Sequence, residues 1–378
     1  MTRKARTDRN TGLDLLRALA IMLTFFVHVI WIIGGWRYGR DFEYLSIRDA
    51  NTALEGTLIW LYHSQHGVFL FFVLSGFLMG KKWFGARPPR LLEYLKDRAW
   101  RTLPGAWLAI SAAVALMAAA GKLPPDTTAK WIENLFFLNW FRKADTHHLL
   151  VVTWSLHAEW LFYLMLPVVA WIASRIAQTK RIAAWQSVAL VVFLLCIAFK
   201  FMSLRGAAYA LFFAVGVIAA IEQTRLRPLV TATPWWVIVG LYGGANFIYG
   251  WLSATAARTQ TNLWNAFDTH AMVFAFTATL MLLKATDTHF PDLGIVRAGR
   301  YIGKISYSIY LWHLLVLLAL GQWFGWPAAM DNLPSSVAVA LYAATSIAAT
   351  WCISALSFRW IEQPYFNRRA REATLKAP

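Results

Sequence analysis

Long apolar runs constrain this chain before any other feature does. About ten stretches of mostly apolar residues recur along its 378 residues, at approximately 13–36, 57–79, 104–120, 153–173, 182–200, 206–222, 234–252, 264–284, 305–326 and 335–358. A helix needs about 20 such residues to cross the hydrocarbon of a bilayer. Backbone in lipid must satisfy its own hydrogen bonds, so the expected fold is all-α: a polytopic bundle of about ten transmembrane helices. Residues 1–378 then form a single integral-membrane domain, with a tail at 1–12, the bundle over 13–358 and a tail at 359–378. Composition agrees, because 58% of residues are hydrophobic and only 15% charged, whereas a soluble domain carries roughly a quarter charged residues. The first run follows a basic segment, Thr2 to Asn10, and is too long to be a cleaved signal.

The net charge of +17 does not point to nucleic acid, since the basic residues lie between apolar runs instead of on one soluble face. Sorted by segment, 25 of the 36 Lys and Arg fall on one side of the bilayer and 10 on the other, with Arg17 inside a run. That bias puts both termini in the cytoplasm. The remaining segments on the far side are short, the longest being 37–56 and about 121–152. The second holds an apolar patch, Leu135 to Phe141, expected to dip into the interface or pack over the bundle. Cys196 and Cys352 lie in apolar stretches without metal-ligand spacing, and both are read as small buried side chains, with no metal and no disulfide.

A charge at bilayer depth costs at least a few kcal/mol unless it is paired or lines a wet cavity, so the ionisable residues inside the runs are informative. They are Asp14, Arg17, His28, His157, Glu159, Asp268, His270 and His313. Asp14 and Arg17 are spaced for a local ion pair. Arg17 and His28 share one face of the first helix, since eleven residues at about 100° each return to within about 20°, and they stand roughly 16 Å apart along its axis. Such a face suits a ligand with an anionic head at the cytoplasmic rim and a reactive end deeper in the membrane. By span arithmetic Glu159 and His270 lie at the depth of His28. His157 and Glu159 are about 200° apart on their helix, and Glu159 is the one expected to face the shared cavity.

The motifs carry a resemblance. Leu13-Asp14-Leu15-Leu16-Arg17, running on to His28, resembles the opening of the type 3 membrane acyltransferase family. Phe71-Phe72-Val73-Leu74-Ser75-Gly76-Phe77 is similar to its second span, and Arg98, Arg101 and Pro104 to the basic stretch before its third. Trp154-Ser155-Leu156-His157-Ala158-Glu159 with Phe162-Tyr163, then Ser306-Tyr307-Ser308-Ile309-Tyr310-Leu311-Trp312-His313, and finally Glu362-Gln363-Pro364, follow in the family's order. Phe69 and Trp160 depart from the polar or small residues of many relatives.

The resemblance implies an enzyme of the bacterial inner membrane that moves an acyl group, usually acetyl, from cytoplasmic acyl-coenzyme A to a hydroxyl of an envelope or exported glycan, such as a polysaccharide, lipopolysaccharide or lipid-linked sugar. No extra esterase-like domain is expected after the last span. Phosphates of the donor would meet Arg17, Arg98 and Arg101, which hold anions bidentately, with Ser75 and His313 also toward the donor. His28 is expected to act as general base with Glu159 orienting it, or as the nucleophile of an acyl-histidine relay. His66, His270 and Asp268 are candidates for the acceptor side, and Glu362 for pairing with Arg359 or Arg368. The rival reading is a transporter or flippase in which Arg17, His28 and Glu159 form a substrate or proton path.

Overall fold

The computed structural model describes residues 10–64, 66–138, 148–180, 182–201, 207–256, 263–325, 328 and 330–375; for 44, 196–201, 207–208, 249, 252–256, 263–272, 335 and 373–375 it describes the backbone alone. Among these all the regular structure is helical, with no strand. The helices run α1 (Thr11–Arg37), α2 (Ala53–His63), α3 (Gly67–Trp83), α4 (Leu91–Ala119), α5 (Thr127–Leu135), α6 (Thr153–Lys180), α7 (Ala184–Phe201), α8 (Ala207–Ala232), α9 (Trp235–Ala256), α10 (Leu263–Asp287), α11 (Gly294–Leu318), α12 (Ser335–Ser357) and α13 (Gln363–Leu375). Each expected run holds a helix, but seven helical segments among the described residues meet the length and apolarity needed to span a bilayer; Ala184–Leu195 and Trp235–Ile248 are apolar but shorter. Trp171, Phe193 and Trp236 point outward, which suits a lipid-facing surface.

Two expected boundaries are corrected. The run over 57–79 is two helices, because Ser64 and His66 interrupt it: the Ser64 hydroxyl donates back to Trp60 O at 2.7 Å, and His66 stands at the N-cap of α3. The helix expected from 104 begins at Leu91, so Arg98 and Arg101 ride on α4 and not on a preceding loop; its charged first turns are amphipathic, and hydropathy alone does not see them. Pro104 is accommodated inside this helix. Cys352 is exposed, contrary to the buried reading, because it lies on the outward face of α12. Cys196 has a side chain outside the described residues.

Small residues set the closest crossings. A Cβ on Gly76 would collide with the backbone of Phe213, and one on Gly216 with that of Val73. Thus α3 and α8 interlock backbone to backbone, as small residues permit in membranes. Gly303 brings α11 against Asp14 of α1 in the same way. At the head of α1, Asn10 accepts from Leu13 N at 3.0 Å and donates to Thr286 O at 2.9 Å, capping the helix and tying it to α10.

The segment between α1 and α2 folds as two short 3-10 turns, Phe42–Tyr44 and Ile47–Asp49. It is pinned by fully buried Glu55, which meets Arg40 at 2.7 Å and Asn51 N at 2.7 Å. On the same side, α5 lies against α4 through Trp107 to Leu135 O, 2.9 Å. At the other end a π-helical stretch, Phe358–Glu362, joins α12 to α13, and buried Glu362 accepts from Ser308 of α11.

Candidate active site

The site grows from α1. Asp14 is buried and accepts from Arg17 at 2.8 Å, the local pair the spacing predicts. Three turns on, the Nδ1 of His28 lies 2.8 Å from Thr24 O and 3.1 Å from Nε2 of His313. The Nδ1 of His313 in turn lies 2.7 Å from Tyr310 O and 3.0 Å from Ile309 O. Carbonyl oxygens only accept, so in the neutral pair each Nδ1 carries the proton. His313 Nε2 is then an acceptor for His28. The consequence is a fixed tautomer with the lone pair of His28 on Nε2.

Beside this pair α1, α3, α4, α6 and α11 enclose a cavity of about 300 Å³, at the small end of ligand pockets. Four cations line it, Arg17, Lys82, Arg98 and Arg101, with a single carboxylate, Glu159. Phe71, Phe72, Leu74, Leu78 and Met79 supply an apolar wall. Arg98 is 5% exposed; its Nη2 reaches Asp97 at 2.6 Å, its guanidinium stands 5.7 Å from the Tyr163 ring, and its buried Nε has no acceptor. A buried donor without a partner costs about 1–3 kcal/mol, which an anionic ligand would recover.

Glu159 and His28 are not hydrogen-bonded. Ser75 at 2.6 Å and Tyr163 at 2.5 Å both donate to Oε1 of Glu159. The reason is packing: Glu159 and Tyr163 share a face of α6 that meets α3, whereas His28 is met by α11. The ring that orients His28 is His313, a residue the sequence assigned to the donor. Tyr310 connects the two regions. It lines the cavity, its ring centroid is 5.7 Å from that of His313, and its hydroxyl donates to Val152 O at 2.6 Å while Ser155 Oγ meets it at 2.5 Å.

The other expected residues lie elsewhere. Buried His66 meets Ser64 O and Asn246 Oδ1, both at 3.1 Å, and packs on Phe274 with centroids 4.9 Å apart. His157 faces away from the cavity, against Phe137 and His148 at 4.4 and 5.0 Å between centroids. The side chains of Asp268 and His270 lie outside the described residues. Glu362 bonds Ser308, while Arg368 bonds Glu372 at 2.9 Å. Phe69 stacks on Phe212 at 4.5 Å, and Trp160 donates to Thr102 at 3.1 Å.

Sequence reasoning passed over Lys82, Asp97, Tyr163 and Tyr310. Lys82 was pooled with the topology charges, and the two tyrosines sit within the quoted motifs, where only their spacing to Glu159 and His313 marks them. Among the described residues no three His, Cys, Asp or Glu side chains group as metal ligands.

A family model described as an acyltransferase domain matches residues 10–355. No curated protein and no solved structure matches the chain.

Proposed function

We infer the activity from one premise: the chain belongs to the acyltransferase 3 family, and is a multi-pass membrane acyltransferase. On that basis we propose that it transfers an acyl group, most simply acetyl, from acyl-coenzyme A to a hydroxyl of an envelope or exported glycan. Its setting is the bacterial inner membrane with both termini in the cytoplasm. One observation carries the reading. Four cations line a cavity whose wall residue Tyr310 touches His313, the partner of His28.

The residues fit a thioester donor with an anionic head. Arg17, Lys82, Arg98 and Arg101 attract phosphate, and the unmatched Nε of Arg98 is a donor awaiting an acceptor. The apolar wall accommodates the arm, and Oε2 of Glu159 is available to an N–H on it. His28 Nε2 takes the proton of the acceptor hydroxyl as that oxygen bonds to the acyl carbon. His313 holds the ring in its tautomer and shares the charge it gains, the task of an orienting partner in other base pairs. The proton on His28 then passes to the sulfur as the carbon–sulfur bond breaks, which restores the neutral ring. An acyl-histidine relay through the same Nε2 would need the same tautomer.

The test is transfer of labelled acetyl from acetyl-coenzyme A by purified protein, with mass spectrometry of surface polysaccharide from cells with and without the gene. His28→Ala is expected to lower transfer by roughly 10²–10⁴-fold. Loss of glycan export in that variant, with no donor consumed by the unaltered protein, would sink the enzyme reading in favour of transport.

A further inference from the structure

An apolar slot of about 70 Å³ lies between α6, α7 and α8, lined among others by Leu161, Met165, Val192 and Ala210. The one hydroxyl in its lining, among the described residues, belongs to Tyr209. A void so lined has nothing to offer water and stays dry. Stacked aromatic rings wall it off from the inner cavity. Phe72 of α3 lines the inner cavity, whereas Phe162 of α6 and Phe213 of α8 line the slot. The Phe213 ring stacks on Phe72 with centroids 4.5 Å apart and on Phe162 at 4.2 Å. Tyr209 and Trp154 meet the Phe72 ring edge-on at 5.8 and 6.1 Å.

The wall is stiff. Phe72 is 3% exposed, and a ring packed this closely moves only by displacing its neighbours. One turn further along α3, the backbone contact at Gly76 pins Phe213 in place, so α3 and α8 cannot part without losing their closest approach. The wall also stands away from the cations. Ten residues, about 15 Å of helix, separate Phe72 from Lys82 on α3. A donor whose anionic head meets the cations therefore extends its acyl end toward the level of Phe72.

We propose that Phe72 sets the length of the acyl group: its ring closes the inner cavity against long chains, and the apolar slot behind it receives the extra methylenes once the ring is removed. The assignment rests on the thioester-donor reading above and deepens it by naming a specificity-determining residue. Phe72 touches no reacting atom in this role. It selects by exclusion, the ring standing where a longer chain would have to pass.

Equilibrium binding of coenzyme A and of its acetyl, butanoyl and hexanoyl thioesters to the full-length protein in nanodiscs tests this, with empty discs correcting for partition into lipid. In the unaltered protein the hexanoyl thioester is expected to bind at least about tenfold more weakly than the acetyl one, the scale of a single misfitting methylene. Phe72→Ala should bring the two within about threefold. Phe72→Leu, which keeps much of the apolar bulk, should rescue the butanoyl thioester before the hexanoyl one. Ala210→Leu in the Phe72→Ala background refills the slot and should restore the gap, while Ala210→Leu alone should leave it as it was. The proposal is overturned by equal affinity for acetyl and hexanoyl thioesters in the unaltered protein, by a gap that persists in both Phe72 variants, or by a gain that survives Ala210→Leu. Failure of coenzyme A and all three thioesters to bind would instead overturn the thioester-donor reading itself, and the proposal with it.

Discussion

At the scale of single residues, the proposed base chemistry depends on which nitrogen of His28 is bare, and that is decided by carbonyls one turn below each ring. Thr24 O, Tyr310 O and Ile309 O accept from both Nδ1 atoms and so keep a proton on each, so His313→Ala removes the acceptor that steadies His28 without touching the cations. We expect kcat to fall roughly 10²-fold, the cost of a misplaced group, with donor affinity unchanged; equal losses in kcat and affinity would show that His313 is only structural. The Arg17–His28 stripe was legible, because eleven residues return a helix to the same face. The His28–His313 bond was not, since 285 residues separate its members and no periodicity says which helix lies beside α1. Glu159 lines the cavity, and depth arithmetic could not show that Ser75 and Tyr163 hold it there, away from His28.

At the scale of elements, hydropathy located the helices and smoothed over their ends. Ser64 and His66 break one apolar run into α2 and α3, and the window average absorbs them. The charged start of α4 was discarded for the opposite reason. Packing between elements rests on glycines whose role is visible only in three dimensions. Gly216→Leu would drive a side chain into the α3 backbone at Val73; overpacking of this kind costs about 1–3 kcal/mol. A lower melting temperature in detergent should follow, and an unchanged one would show that α3 and α8 slide freely. The loop entering α6 has its own pH dependence. Burial drives His148 from its ordinary 6.5 down to about 4. The unfolded loop therefore takes up a proton between those values while the folded loop does not, so the folded form loses stability as pH falls from about 6.5 to about 4. Intrinsic-rate-corrected hydrogen exchange at Leu150–Trp154 should accelerate over that window, and His148→Phe should flatten the response.

For the whole molecule, α13 is held against the bundle by the Glu362–Ser308 bond at its start, by Tyr365 and Arg369 on Asp97, and by Phe366 and Arg368 against Arg101 and Trp100. Ser308→Ala strips a donor from a buried carboxylate, a loss of about 1–3 kcal/mol, and should lower the melting temperature. An unchanged melting temperature would mean that the remaining contacts of α13 with α4 hold the helix without this bond. The wall at Tyr310 has a further consequence for the cell. A polar cavity that adjoins titratable rings inside a bilayer is most of a proton wire, and moving one elementary charge across 100 mV is worth about 2.3 kcal/mol. Tyr310 is buried, its one proton is committed to Val152 O, and Ser155 fills the other side of its oxygen. The residue that links the cavity to the histidines thereby has its hydroxyl proton held within the protein, so the link is made by packing and not by a chain of exchangeable protons.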